Sequence, residues 1–249
     1  MKPAVLVTGG AKRIGAAISE AFGRAGWHIV IHYGQSASEA ERLAASLPSA
    51  ETVQCDLSDV DASTAIVEML GARLDDWRVL VNCAGVFHED TATTLDPDTF
   101  DEAMRVNAAS PTRMAQAFLA LARSSGGKRV IQVTDQKLLN PNPDFFSYTM
   151  SKHALDATIA MLAMAQSDPR DRIYGLAPGA ILASHDQTEG EADVSHRLNL
   201  LHRRTEAGEI ADAALFLAQG WLASGETLFI DSGQHLVPQA RDVLYLARQ

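Results

Sequence analysis

Short apolar runs alternate with helix-length segments from one end of this chain to the other. They stand at Ala4–Val7, His28–His32, Thr52–Gln54, Val79–Val81, Arg129–Val133, Ile173–Ala177 and Thr227–Ile230. Continuous apolar runs of this length suit strands buried on both faces. With a helix between each pair they form crossover units, so the expectation is α/β: a single doubly wound Rossmann domain over residues 1–249, with a parallel sheet of about seven strands. Neither a linker, a repeat nor a low-complexity tract interrupts the alternation. A 47% hydrophobic content is enough for one continuous core.

The first run breaks into Thr8-Gly9-Gly10-Ala11-Lys12-Arg13-Ile14-Gly15, and a helix follows to about Ala25. Glycines there let the backbone approach a phosphate, and the helix start offers free N–H groups and a positive dipole end. The spacing is Gly9-x3-Arg13-x-Gly15, which is not the G-x-G-x-x-G fingerprint. A tight strand-to-helix turn without a ligand has the same local pattern. The second strand ends in His32-Tyr33-Gly34-Gln35-Ser36, with no acid before Glu39. An acid at that place holds ribose hydroxyls in NAD sites. Here a 2′-phosphate meets no carboxylate, and Arg13 and Ser36 offer donors, so NADPH is expected over NADH. His32 as a strand-end histidine without a ligand is an equal alternative.

Two further stretches carry chemistry. Asn82-Cys83-Ala84-Gly85 ends the fourth strand with small residues that admit a flat ring, and Phe87 beyond it is either a stacking surface or core. Val130–Val133 runs into Thr134-Asp135, and a helix begins near Tyr148. Tyr148 and Lys152 are four residues apart, so both side chains rise from one helix face. A phenol beside an ammonium is a tunable proton donor. Asp135 lies where open α/β sheets place their ligands. Asp96-Pro97 starts a long helix, with Asp96 as N-cap, which is expected to bend near Pro111. Asn107 inside it is a poor helix former and is either specialised or exposed.

Residues 184–205 differ from the rest. They are rich in Asp, Glu, His and Arg, with little apolar pattern beyond Leu198, Leu200 and Leu201. The expectation is a mobile substrate lid with a short helix, its charges mostly solvated. The net charge of −10 and the lack of a basic stripe argue against nucleic acid as a partner. The two cysteines, Cys55 and Cys83, have no metal-ligand spacing, so no metal is expected. No apolar run approaches the roughly 20 residues of a membrane helix, and no signal-peptide layout is visible. A cytoplasmic protein that interacts with no membrane is the expectation.

Taken together, the glycine turn, Asn82-Cys83-Ala84-Gly85, Asn107, Tyr148-x3-Lys152 and Pro178-Gly179 resemble the short-chain dehydrogenase/reductase family, in its order and spacing. The resemblance covers nearly the whole chain. It implies a pyrophosphate at Gly9, Arg13, Ile14 and Gly15, and an adenine near Asp56 and Leu57. It also implies a nicotinamide beside Pro178 and Gly179, with Asn82, Ala84 and Gly85 along the cofactor. Lys152 would hold the ribose and lower the pKa of Tyr148, the general acid, and Asn107 would anchor a water. The family usually has a serine where Asp135 stands. In that, in the Arg13 turn, in His32-Tyr33 with Ser36, and in Phe87 the chain is similar to pteridine reductases and dihydromonapterin reductases.

That subgroup implies a small-molecule substrate, a dihydropterin or related flat heterocycle, met by Arg13, Phe87, Asp135 and Tyr148. Gly34, Gln35, Gly85 and Ala180-Ile181-Leu182 depart from the subgroup's pocket. A carbonyl or quinone reductase on the same scaffold and a non-catalytic NADP-binding regulator remain as alternatives. By analogy with the family, the chain is expected to form a dimer or tetramer through helices near 97–122 and 145–166.

Overall fold

In the computed structural model, residues 2–183 and 187–248 are described. The elements in chain order are β1 Ala4–Val7, α1 Arg13–Arg24, β2 His28–Tyr33, α2 Ala37–Ser46, β3 Ala50–Gln54, α3 Val60–Arg73, β4 Trp77–Asn82, α4 Pro97–Met104, α5 Ser110–Leu121, β5 Arg129–Val133, α6 Phe146–Ala165, β6 Arg172–Pro178, α7 Glu189–Ser195, α8 Ala207–Ala218, β7 Thr227–Ile230 and α9 Val243–Leu246. They form one α/β domain around a seven-stranded sheet in the order β3-β2-β1-β4-β5-β6-β7, parallel throughout.

The period of two along each strand divides the core. Val5, Val7, Ile29, Ile31, Val79, Val81, Ile131 and Val133 face the layer of α1, α2 and α8. Ala4, Leu6, Val30, Leu80 and Val130 face the layer of α3, α5 and α6. Strand order reverses between β1 and β4, and the crevice beyond their carboxyl ends is where open sheets bind ligands. Thr8 Oγ1 ties the two strand ends together there, accepting from the N–H groups of Cys83 (2.9 Å) and Ala84 (3.1 Å).

The long helix leaves α-helical form around Asn107, just before Pro111. Residues Arg105–Ala109 form a π-helical turn that runs directly into α5, so Pro111 lies inside a continuous helix and withdraws one backbone donor there. In its described part the acidic segment forms the expected short helix and keeps its charges largely at the surface, with only the inner face of the helix packed down. Thr188 and Glu191 form a capping box at α7, and Ala192, Ser195, His196 and Asn199 are buried. Ser184, His185 and Asp186 of that expectation lie outside the described residues.

His32 fills an internal place. It is 2% exposed, its Nδ1 accepts from Gly9 N–H (3.1 Å), and its Nε2 meets the Cys55 carbonyl (3.1 Å). One imidazole thus braces the glycine turn against β2 and the end of β3. Burial pushes its pKa down to about 4, against the opposing hydrogen bond to Cys55. The unfolded chain therefore binds this proton more readily between about 6.5 and about 4, so stability is fully present above the unfolded value and falls with pH through that window. His32's share of the loss is about 3 kcal/mol. His32→Gln is expected to flatten this part of the pH dependence in chemical denaturation; an unchanged slope would take His32 out of the cause.

Candidate active site

At the carboxyl end of the sheet lies a cavity of about 530 Å³. Its first wall is the glycine turn. Gly9 has φ +62°, and a Cβ on Gly15 would stand 2.1 Å from the Gly9 carbonyl, so backbone fills the space any side chain would need. Lys12 at the N-cap position of α1 makes no side-chain cap, which leaves the first N–H groups of the helix open to an anion. Arg13, with a left-handed φ of 54°, reaches across to the carbonyls of Ala183 (3.1 Å) and Leu182 (3.3 Å). At the end of β2 no carboxylate follows Tyr33 until Glu39, and Glu39 is occupied by Lys12 Nζ at 2.8 Å. Lys12 also lines the cavity, a cation the sequence reasoning passed over. An uncapped helix start, a side-chain-free turn and two cations fit a dinucleotide phosphate.

The second wall carries the titratable groups. Asp135 leaves the end of β5 and Tyr148 rises from the first turn of α6, and their side chains meet: Tyr148 Oη donates to Asp135 Oδ2 at 2.7 Å. Asp135 Oδ1 accepts from Lys137 N–H at 2.9 Å, which fixes the carboxyl's plane. Burial pushes the Asp135 carboxyl above its ordinary pKa, although Lys137, Tyr148 and Lys152 all oppose the shift. Burial first, and then the Asp135 charge, hold the Tyr148 phenol well above its ordinary value. Lys152 is not among the groups that set this shift. The ammonium lies 5.6 Å from the phenol ring's centre and spends a hydrogen bond on the Val133 carbonyl (2.8 Å), and burial lowers its own pKa. A phenol so placed keeps its proton at neutral pH.

Asn107 braces this wall. Its Oδ1 accepts from Val86 N–H (2.9 Å), and its Nδ2 donates to the Val86 carbonyl (3.0 Å) and to Ser151 Oγ (3.0 Å). Both amide hydrogens are used, so the side chain has no donor left for a water. Phe87 lines the cavity, stacked on Phe145 (3.9 Å, 19°) and edge-on to Tyr148 (4.7 Å, 89°). It is neither free nor core: one face is covered and the ring forms part of the wall.

Of the expected cofactor and substrate residues, the fold gathers Gly9, Arg13, Ile14, Gly15, Ala84, Gly85, Phe87, Asp135, Tyr148, Lys152, Pro178 and Gly179 around the one cavity. Tyr33, Ser36, Asp56 and Leu57 stand apart from it, at the ends of β2 and β3. The side chains of His32 and Asn82 point to internal work. Asn82 Nδ2 bonds Gln132 Oε1 (2.8 Å) and the Pro111 carbonyl (3.0 Å), joining β4 to β5 and α5.

Besides Lys12, sequence reasoning missed several contributors. Asp90, in the loop after β4, accepts from Ser147 N–H (3.0 Å) and from the Ser147 hydroxyl, and so caps α6 from a distance. Phe145 enters that helix in the left-handed region (φ 53°). Beyond them, the C-terminal tail closes the cavity with Asp242, Val243 and Leu244, held by Lys137 Nζ to Asp242 Oδ2 (2.7 Å) and Arg241 Nε to Asp144 Oδ2 (2.7 Å). A capping aspartate has a local signal only when it immediately precedes its helix, and Asp90 does not. Among the described residues no helix is long and apolar enough to cross a membrane, and no His, Cys, Asp or Glu cluster could hold a metal.

Comparison with known proteins shows the family and the fold. Residues 9–235 match the family described as enoyl-(acyl carrier protein) reductase. Pteridine reductase 1 of Leishmania tarentolae is 26% identical, over 94% of this chain and 96% of that protein. Among solved structures, FolM alternative dihydrofolate reductase 1 from Brucella suis in complex with NADP is 32% identical. It superposes with a TM-score of 0.88 over 97% of this chain and 98% of its own. The angucycline C-6 ketoreductase LanV with bound NADP is 29% identical, with a TM-score of 0.82 over 94% and 96%.

The capping role of Asp90 has a direct consequence. Asp90→Ala is expected to lower stability by about 1–2 kcal/mol and to slow turnover, because Tyr148 sits one residue after the capped Ser147. Thermal unfolding and steady-state rates measure both; a variant normal in the two would remove Asp90 from the support of the site.

Proposed function

The chain belongs to the short-chain dehydrogenase/reductase family and is an NADPH-dependent reductase, and we propose that its substrate is a dihydropterin or a closely related flat heterocycle. The observation that carries this reading is the 2.7 Å hydrogen bond between Tyr148 and an Asp135 carboxyl whose pKa is raised by burial. A hydroxyl would suffice to polarise a ketone oxygen. Reduction of a ring C=N bond needs a proton delivered to nitrogen, and a carboxyl whose pKa is raised can supply one. The relatives named pteridine reductase and alternative dihydrofolate reductase support the same class.

When bound, NADPH supplies the hydride. The chain's own residues do the rest. Gly9, Gly15 and the open start of α1 receive the phosphates, with Arg13 and Lys12 as cations nearby. Lys152, Pro178 and Gly179 flank the place of the nicotinamide and its ribose. Phe87 gives the flat ring a surface to stack on. The substrate nitrogen takes its proton from the Tyr148–Asp135 pair, which titrates as a unit because the two groups share one hydrogen bond. Asn107 holds the π-helical turn and Ser151 in register beneath Tyr148. The segment that includes α7 acts as a cover over the substrate. A homo-oligomer completes the reading: α5 leaves Leu121 exposed and α6 leaves Met150, Met161 and Met164 exposed.

Tyr148→Phe is expected to cost at least about 10²-fold in kcat, read as NADPH oxidation with a dihydropterin. The acid pair works only while it holds its proton, so kcat/KM is expected to fall as pH rises through the raised carboxyl pKa, and Asp135→Asn is expected to abolish that limb. Asp135→Ser should retain turnover of simple ketones and lose that of dihydropterins. A wild-type enzyme that reduces simple ketones faster than every dihydropterin tested would reject the substrate class in favour of a carbonyl reductase.

A further inference from the structure

Gln136 follows Asp135 directly and opens the 3₁₀ turn Gln136–Leu138. In a continuing strand, consecutive side chains would point to opposite faces. Here β5 has ended at Val133 and the chain turns, so Asp135 and Gln136 both line the cavity. Gln136 is 4% exposed, yet its carboxamide makes no hydrogen bond among the described residues. Its Oε1 is sealed from solvent and unpartnered. The amide Nε2 is not among the sealed atoms and is the end that can meet a bound molecule.

Five such sealed, unpartnered side-chain atoms occur among the described residues, and only those of Gln136 and His196 belong to residues of the cavity wall. Of the two, Gln136 borders the acid. A methionine would fill the same space without a buried unpaired acceptor, so the glutamine is unfavourable for folding alone. Such departures from local rules are expected at functional sites, and this one lies in the cavity wall.

We propose that Gln136 is a specificity-determining residue: its Nε2–H donates to the C4 carbonyl oxygen of a 4-oxo-dihydropterin, beside the ring nitrogen N5 served by Asp135. The assignment rests on the pterin reading above. In a pterin the C4 oxygen and N5 point the same way from neighbouring ring positions, so two consecutive residues at one strand end can serve both. A 4-amino ring presents a donor instead. The amide could meet it only by turning its own N–H groups into the sealed position, where an unpaired donor is worse tolerated than an unpaired carbonyl.

The test compares wild type with Gln136→Met on a 7,8-dihydropterin and on its 4-amino counterpart, measuring kcat, KM for each substrate, KM for NADPH, and Tm. Wild type is expected to prefer the 4-oxo ring by roughly tenfold in KM. In the methionine variant KM for the 4-oxo ring should rise by about the same factor, erasing the preference. KM for NADPH should hold, and Tm should hold or rise. An unchanged KM for the 4-oxo ring would overturn the assignment, and so would a fall in Tm with equal losses on both substrates, which marks a structural role. An active wild type with an indifferent variant sinks the role of Gln136 alone. A wild type that turns over neither ring sinks the pterin reading and this assignment with it.

Discussion

The reactive end of the cavity depends on one hydrogen bond, from Tyr148 Oη to Asp135 Oδ2. Its two ends come from different elements, the tip of β5 and the first turn of α6, so its 2.7 Å length is set by how those elements dock. Three supports fix the docking. Asp90 and the left-handed Phe145 set the entry of α6. Asn107, through Ser151, ties α6 to the π-helical turn and to Val86. The backbone N–H of Lys137 holds the other carboxyl oxygen. None of these groups needs to touch a substrate, yet each decides where the proton stands.

Burial gives that bond its chemistry. Desolvation favours the neutral form of every titratable group in this wall, so it raises the carboxyl and the phenol and lowers the Lys152 amine. The three shifts are one electrostatic effect seen from three charges. The closed tail sustains it. Tyr245 stacks on Phe145, which stacks on Phe87, while Lys137 and Asp242 pair at 2.7 Å beneath them. An ion pair this deep contributes little net stability over an apolar substitute. Its value here is geometric, since it anchors the tail against the residues that flank Asp135.

Much of the fold was legible because it is local. Thr227–Ile230 is the last strand residue for residue, and β5 and α6 begin within two residues of their expected starts. Apolar runs, a proline at N1 and a capping aspartate are signals carried by neighbouring residues, and Asp96 caps as such a signal implies. What was not legible depends on partners far along the chain. His32 reads as a strand-end histidine until Gly9 and Cys55, each 23 residues away, claim its two nitrogens. Asn107 reads as a poor helix former from its type alone, but its partner Val86, 21 residues earlier, has no local signal. The site's Tyr148, Lys152 and Asp135 were found because family spacing marks them, and Asp90 and Gln136 were missed because nothing local does.

The costs in this structure are not spread evenly. Left-handed backbone at a non-glycine residue is uncommon and costs of order 1–3 kcal/mol. Among the described residues Arg13, Phe145, His202 and Ser232 adopt it, and of these Arg13 lines the cavity while Phe145 backs its wall through Phe87. Arg13 could be a glycine at no steric cost, and then nothing would reach the carbonyls of Leu182 and Ala183 across the opening. His32 shows the opposite economy: by bracing Gly9 from within, it stiffens the turn without placing a charge near the end of β2. The stretch from Tyr33 to Ser36 itself carries no carboxylate, the condition a 2′-phosphate requires.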